Sequence, residues 1–237
     1  MKVTAEEIQR DWNKLIKIIE TTFQGERKEK LLKMYEHFKD RLLLAPASGI
    51  DHFHNAFPGG YLKHILSVIQ FSVKMFKLWK ECGAYIDYTK EEIIFASMHH
   101  DLGKLGDLEN DHYVPNPSEW HRKNQGKIYT ANSDIQFMNT FDRTMMILAY
   151  FGISLSTNEL LGIKLADGLY DEANVPYFKT YYHEKKLKSN LAYIIHQADE
   201  MTARIEYENW LHKDDDKKQQ DKEKTEQLKN VFDGLFK

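Results

Sequence analysis

The sequence predicts an all-α protein that forms a single helical bundle, and three observations support this prediction. Apolar residues recur at spacings of three and four over most of the chain, which is the period of an amphipathic helix. Helix-capping residues precede some of these segments, for example Thr89 with Glu92 three residues later. No run of alternating apolar and polar residues is long enough to predict a sheet of consequence.

The first part of the chain, residues 1–45, predicts N-terminal helices that pack on the bundle. Residues 4–20 follow a threonine cap and carry apolar side chains at helical spacing: Ile8, Trp12, Leu15, Ile16 and Ile19. A second helix is predicted over residues 27–44, and it ends before Pro46 because a proline disfavours helical dihedrals in the residue ahead of it. The segment 46–60 holds two prolines and three glycines, which predicts a loop.

The rest of the chain alternates between predicted helices and polar connections. Helices are predicted over residues 61–80, 89–103 with Gly103 as the stop, 133–151, 157–169 and 188–210. The insert at 105–132 is polar, aromatic and proline-bearing, and such an insert is expected to be functional. Residues 46–210 are expected to form the main domain. A charged linker and short amphipathic tail are expected at 211–237, with this apolar stripe: Leu228, Val231, Phe232, Leu235 and Phe236.

Four side chains in these helices stand out, because a polar group on an inward face is costly unless it is paired or binds a metal. His64 lies on an inward-facing stripe of the helix predicted at 61–80. His100 and Asp101 lie in the last predicted turn of the next helix, where the partial negative charge of the carbonyl groups favours a bound cation. Asp199 lies among the inward-facing residues of the last predicted helix.

Composition and charge limit the classes of protein to which the chain can belong. A net charge of −3 gives no general attraction to nucleic acid, so no long nucleic acid is expected as a partner. The single Cys82 excludes an internal disulfide framework. No apolar signal segment and no apolar run able to span a bilayer are found, so a cytoplasmic protein with no membrane partner is expected. Assembly into a homo-oligomer is left open.

The order and helical context of the four side chains resemble the metal site of the HD-domain phosphohydrolase superfamily. The resemblance covers residues 46–208 and depends on three segments: Gly59-Gly-Tyr-Leu-Lys-His64, His100-Asp-Leu-Gly-Lys104 and Gln197-Ala-Asp-Glu-Met-Thr-Ala-Arg204. The chain is similar to the HD domains of bacterial 3'-to-5' exoribonucleases and relaxase-associated proteins, whose loop before the first ligand resembles residues 46–60. That branch has a His-His-Gly step where this chain has Ala166-Asp167-Gly168.

The resemblance implies a site for a divalent metal (Mn, Fe, Co, Ni, Zn or Mg) with these ligands: His64, His100, Asp101 and Asp199. Three residues are expected to be catalytic: Asp101 as a ligand, Lys104 to neutralise a phosphate oxygen, and His121 to donate to a phosphate or protonate the leaving group. The expected substrate contacts are His54, Lys104, His121, Arg122, Lys123, Asn124 and Asp167. His121 and Asp167 are also candidates for a weak second metal. His99 and His196 are expected to be core residues or partners of the ligands.

The function that the resemblance implies is metal-dependent hydrolysis of a phosphoester or phosphoanhydride in a nucleotide-type substrate. A 3'-to-5' exonuclease, or a cyclic-nucleotide or oligonucleotide phosphodiesterase, is an alternative enzyme. A small nucleotide or oligonucleotide is preferred as the substrate, because the sequence carries no separate nucleic-acid-binding domain and its net charge is slightly negative. An alternative of another class is a catalytically weak regulatory module that binds metal and nucleotide.

Overall fold

The computed structural model describes residues 3–213, where the chain folds into ten α-helices and one two-stranded sheet. The prediction of an all-α protein is therefore confirmed. None of the helices in this range is long and apolar enough to cross a membrane. The predicted tail lies outside the described residues from position 214 onward, and so does its apolar stripe.

Helix α1 (Ala5–Thr22) forms where the first helix is predicted and begins at the expected cap. Thr4 Oγ1 accepts a hydrogen bond from the Glu7 N–H, and the Glu7 carboxylate accepts one from the Thr4 N–H. This reciprocal pair satisfies backbone donors that the first turn of a helix leaves free. The helix therefore starts cleanly and buries its apolar face through three side chains: Trp12, Leu15 and Ile19.

The prediction of a single helix over residues 27–44 is wrong, because the chain forms α2 (Gly25–His37) and α3 (Lys39–Leu44) with a break between them. Phe38 leaves the helical region there, with φ −92° and ψ 5°. Its buried ring packs against the ring of Phe151, with 6.1 Å between the two centroids. Because that contact joins distant parts of the chain, the local apolar period could not reveal the break.

Three helices form the centre of the bundle and carry the candidate ligands. They are α4 (Gly60–Glu81), α5 (Lys90–His99) and α10 (Leu191–Leu211), and α4 packs against both of the others. Helix α8 (Thr157–Lys164) packs on α5 and α10 and is shorter than predicted. The first half of α4 is buried as expected, whereas Leu78 near its end is 52% exposed.

The insert after α5 has more structure than the sequence predicts. A 3₁₀-helix at Leu102–Leu105 comes first. Two antiparallel strands follow, β1 (Tyr113–Pro115) and β2 (Tyr129–Ala131), with α6 (Glu119–Gln125) between them. Each strand has three residues, which is too short for an alternating apolar pattern to be recognised.

The later helices lie near their predicted positions but differ at their ends. Helix α7 (Thr140–Tyr150) begins after the predicted residue 133, because Asn139 caps it by accepting a hydrogen bond from the Asp142 N–H. The tyrosine-rich connection before α10 contains the short helix α9 (Val175–Phe178), which was not predicted. These differences are local, and they leave the three central helices in place.

Candidate metal centre

His64 is the candidate ligand that α4 supplies, and its side chain is 1% exposed. Its Nδ1 lies 3.0 Å from Glu206 Oε2 on α10. Because an ionised carboxylate only accepts hydrogen bonds, Nδ1 carries a proton, and loss of the second proton of the imidazolium would leave the lone pair on Nε2. That Nε2 lies 3.1 Å from Asp199 Oδ1 and 3.8 Å from Asp101 Oδ2, so it faces both carboxylates.

His100 and Asp101 follow the last turn of α5, whereas both were predicted to lie within it. His100 is the C-cap of the helix, and Asp101, with φ −111° and ψ 11°, leads into the 3₁₀-helix. His100 Nδ1 donates to the Ser97 carbonyl oxygen at 2.8 Å, so Nε2 is again the nitrogen left free. That Nε2 lies 3.6 Å from Asp101 Oδ2, so two neighbouring residues present a nitrogen and an oxygen to one point.

Asp199 comes from α10 and completes the group of four predicted ligands. Its Oδ1 lies 3.1 Å from His64 Nε2 and 3.5 Å from His100 Nε2. Its side chain is 18% exposed, whereas those of both histidines are 1% exposed. The structure therefore brings the four side chains together, with Asp199 at the edge that faces solvent.

The spacing of these atoms suits a metal ion. Two atoms bound about 2.1 Å from one metal lie about 3.0 to 3.4 Å apart in octahedral or tetrahedral geometry. The separations from imidazole Nε2 to carboxylate oxygen run from 3.1 to 3.8 Å. Within residues 3–213, one group of three or more candidate ligands has all its atoms within 4.8 Å of one another: His64, His100 and Asp101. The donor set of His64, His100 and Asp101 therefore fits a divalent cation, whereas Asp199 is not part of that group.

Electrostatics at the centre favour positive charge. Burial disfavours a charged imidazole, but the carboxylates of Glu206 and Asp199 outweigh burial and raise the pKa of His64 to about 10. Burial acts the same way on His100, and Asp101 with Asp199 raises its pKa above the usual value. Burial alone would raise the pKa of the Asp199 carboxyl, yet the two histidines hold it well below its usual range. A divalent cation at this point would compete with these protons.

Lys104 contacts a predicted ligand directly. Its Nζ donates to Asp101 Oδ2 at 2.7 Å, within the 3₁₀-helix. Burial opposes the lysine charge, but Asp101 outweighs burial and the pKa of Lys104 is raised. The lysine therefore keeps the Asp101 carboxylate ionised. Its expected contact with a phosphate oxygen stays a prediction.

Gly103 fixes the position of the His-Asp pair by a close approach to α7, and it does not act as the predicted helix stop. A Cβ atom at this position would lie 2.2 Å from the Thr140 carbonyl oxygen. The Gly103 N–H donates to Thr144 Oγ1 at 2.9 Å, and its carbonyl accepts from Arg143 Nη1 at 3.1 Å. Only glycine permits this contact, so α7 sets the path of the chain between Asp101 and Lys104.

An open cavity of about 740 Å³ borders the centre, and we call it the ligand cavity. Its lining includes Lys104 and Asp199 together with the predicted contacts His54 and Asp167. The His54 and His64 rings lie 5.0 Å apart between centroids, and His54 Nε2 is buried without a hydrogen-bond partner among the described residues. Burial, followed by the charges of His64 and Lys104, lowers the pKa of His54 to about 3, so His54 is neutral at pH 7.

Asp167 lines the outer part of the same cavity. Partial removal of its carboxyl from water, followed by the negative charge of Asp101, raises the pKa of Asp167. Together with His121 it was predicted to hold a weak second metal. Within residues 3–213 neither residue belongs to a group of three or more candidate ligands with atoms within 4.8 Å of one another. The second metal stays a prediction.

The substrate contacts predicted on α6 make their contacts within the insert. His121 Nδ1 lies 2.7 Å from Ser118 Oγ, and the Arg122 guanidinium donates to the Asn116 carbonyl. These are bonds that hold the start of α6 in place. The predicted roles of His121 and Arg122 toward substrate stay predictions.

The other two predicted contacts on α6 are closer to the surface. Lys123 Nζ lies 2.6 Å from Glu119 Oε1, and both side chains are exposed. The Asn124 amide donates to the Trp120 carbonyl at 3.0 Å. The charge of Lys123 is therefore already paired with Glu119 where a substrate would contact α6.

Residues of both strands of the insert share a second cavity, of about 290 Å³, with Lys104. Tyr113 of β1 is one of them. It was not predicted as a site residue, because a tyrosine in a polar insert carries no motif. Its pKa is raised by burial, against the opposing effect of Lys104.

The histidines next to the ligands in sequence have structural partners. His99 is fully buried, and its Nδ1 donates to the Phe95 carbonyl at 2.7 Å, as expected for a core residue. His196 Nδ1 donates to the Ala166 carbonyl at 2.8 Å. The His196 ring lies directly over Gly168, where a Cβ atom would come within 2.1 Å of it.

Glu206 and Asn55 are the residues at the centre that the sequence analysis missed. The Asn55 amide donates to Glu206 Oε1 at 2.7 Å, and the other carboxylate oxygen accepts from His64. One signal could have pointed to Glu206. It lies seven residues after Asp199, so both fall on one face of α10, and a glutamate on an inward face needs a partner.

Comparisons with known proteins give no match: no protein-family model, no curated protein and no solved structure matches this chain. The resemblance to HD-domain phosphohydrolases therefore stays a prediction. The residues of the centre and their geometry are the basis for inferring a function.

Proposed function

We propose that this protein is a metal-dependent phosphohydrolase of the HD-domain type, and that it cleaves a phosphoester or phosphoanhydride in a nucleotide-type substrate. One observation carries the proposal. Two buried imidazoles, each with Nδ1 bonded to a protein oxygen and Nε2 directed at carboxylate oxygens, lie at the edge of an open cavity. This is a donor set for a divalent metal, and the cavity gives a substrate access to it.

A divalent metal bound by His64, His100, Asp101 and Asp199 would polarise a phosphoryl oxygen and lower the pKa of a coordinated water. The protein's own groups have separate tasks. Lys104 keeps Asp101 ionised and lines the ligand cavity, where a phosphate group would meet its charge.

Size and polarity of the ligand cavity support a nucleotide-type substrate. Its volume of about 740 Å³ lies within the range of roughly 300 to 1,000 Å³ that is typical of small-molecule sites. His54 offers a neutral imidazole for hydrogen bonding. Arg204 also lines the cavity, with its guanidinium paired to Glu208 Oε1 at 2.8 Å, and Tyr170 offers an exposed aromatic ring. A phosphate and a base could each find a partner there.

The experiment is a substrate screen on the metal-loaded protein. The purified chain is loaded in turn with Mn, Fe, Co, Ni, Zn and Mg and tested against mononucleotides, dinucleotides, cyclic nucleotides and short RNA. Release of phosphate or mononucleotide is the readout. We expect turnover of at least one substrate with at least one metal, and a 3'-to-5' exonuclease would instead be recognised by stepwise shortening of RNA.

The matched variants are Asp101→Ala at the centre and Asp134→Ala at an exposed position. We expect Asp101→Ala to lose the metal and the activity, and Asp134→Ala to keep both. If Asp101→Ala and the wild type retain equal metal after identical dialysis, the assignment of the centre is wrong. Metal binding without turnover of any substrate would instead indicate the regulatory module.

A further inference from the structure

The loop before α4 holds a strained residue beside the centre. Asn55 has a φ of 43°, and it is the one non-glycine residue with positive φ among residues 3–213. The loop is packed tightly there, because a Cβ atom at Gly60 would lie 1.9 Å from the Asn55 carbonyl oxygen. That oxygen also accepts from the Ala47 and Phe57 N–H groups. The surroundings therefore over-determine the Asn55 backbone, as is common at functional sites.

The strained loop places the Asn55 side chain on Glu206. The Asn55 amide donates to Glu206 Oε1 at 2.7 Å, and His64 Nδ1 donates to Glu206 Oε2 at 3.0 Å. Glu206 is 9% exposed. Each carboxylate oxygen thus has its own donor, and the glutamate has a defined orientation between the loop and α4.

The two histidines of the centre differ in what holds them. The His100 imidazole donates to a backbone carbonyl one turn back in its own helix, so α5 alone orients it. The His64 imidazole depends on a carboxylate from α10, which in turn depends on a loop amide. A carboxylate partner makes the imidazole a stronger electron donor than a carbonyl does, and it fixes the tautomer that leaves Nε2 free.

We propose that Glu206, held by Asn55, is a positioning residue that sets the tautomer and the orientation of His64 and so determines metal affinity. This inference depends on the proposed function only in taking the centre to bind a metal. Glu206 acts through His64 and does not itself approach the ligand cavity, whose lining includes neither Glu206 nor Asn55.

The test measures metal dissociation constants by competition with a chromophoric chelator, using Zn and Mn as probes. Glu206→Ala should weaken metal binding by about 10- to 100-fold, which is the usual effect of losing the partner of a ligand histidine. Glu206→Gln keeps an oxygen that can accept a hydrogen bond from His64 but removes the charge, so its loss of metal affinity should be smaller. Asn55→Gly tolerates the positive φ while removing the amide, and its loss should be the smallest of the three.

A glutamate on the exposed part of the same helix supplies the control. Glu208 pairs with Arg204 at 2.8 Å, and Glu208→Ala should leave metal affinity unchanged. Thermal unfolding of each metal-free variant separates positioning from folding, because a variant that binds metal more weakly at an unchanged melting temperature has lost positioning and kept the fold.

The outcomes are distinct. A wild-type protein that binds neither Zn nor Mn overturns the proposed function and this inference with it. A wild type that binds metal, with Glu206→Ala and Glu206→Gln binding equally well, overturns the inference alone. Graded loss in the order Ala, Gln, wild type, with an unaltered control, supports it.

Discussion

His99 and His100 are neighbours in sequence, and their surroundings differ sharply. Both are buried, and both donate Nδ1–H to a carbonyl of α5. The His99 ring packs 4.2 Å from the Phe95 ring between centroids, and burial together with nearby positive charge lowers the pKa of His99 to about 3. His100 faces the carboxylates of Asp101 and Asp199, which raise its pKa. A buried histidine therefore becomes a candidate ligand only through the groups that its free nitrogen faces.

The largest expected effect is a difference in metal retention between variants that remove the His99 ring and the His100 ring in turn. His100→Ala should abolish metal retention, because it deletes a ligand that no other side chain replaces. His99→Leu should retain the metal of the wild type, because His99 is not among the candidate ligands and its Nε2 is buried without a hydrogen-bond partner among residues 3–213. Metal content after identical dialysis is the measurement. Equal loss in both variants would show that the two histidines serve one site.

The second effect concerns acid stability of the metal-free protein. The pKa of His99 is about 3 in the fold against the usual 6.5, so between these values the unfolded state binds one more proton at this residue. Stability due to neutral His99 is therefore present above pH 6.5 and is lost as the pH falls toward 3. In His99→Leu the free energy of unfolding should fall less steeply with decreasing pH, by up to about 1.4 kcal/mol per pH unit.

Denaturant unfolding at a series of pH values measures this difference. The control is Met98→Leu, an apolar exchange one residue earlier in α5 that removes no titrating group. Its curve should run parallel to that of the wild type. A parallel curve for His99→Leu as well would mean that His99 keeps an ordinary pKa in the folded state.

The smallest expected effect is a change in KM on substitution of exposed residues of the insert, in contrast to the buried centre. If α6 forms a rim for the substrate, the double substitution of Lys123 and Asn124 by alanine should raise KM and leave metal content unchanged. The change should stay within about fivefold, because exposed charge contacts contribute at most about 1 kcal/mol. Glu119→Ala is the control, since it breaks the same surface pair and keeps the lysine. An unchanged KM in the double variant removes α6 from the substrate site.

The sequence predicted those features that local pattern controls. The helices of the bundle follow from their apolar period, and the candidate ligands follow from chemically distinctive residues on inward faces. What could not be predicted depends on contacts between distant segments. The Phe38 ring at the helix break packs on Phe151, and Glu206 meets His64 because α10 lies beside α4. Lys104 was assigned to substrate, and only the three-dimensional path of the 3₁₀-helix shows it bonded to Asp101.

The contact of Gly103 with α7 has a consequence for the order of folding. Asp101 and Lys104 reach their positions only when α7, about 40 residues later, has docked on the 3₁₀-helix. Asp199 must then arrive from α10, so the four side chains meet only when most of the chain is in place. Contacts of such long sequence separation are costly in chain entropy. An intact centre would therefore report that α4, α5, α7 and α10 are packed together.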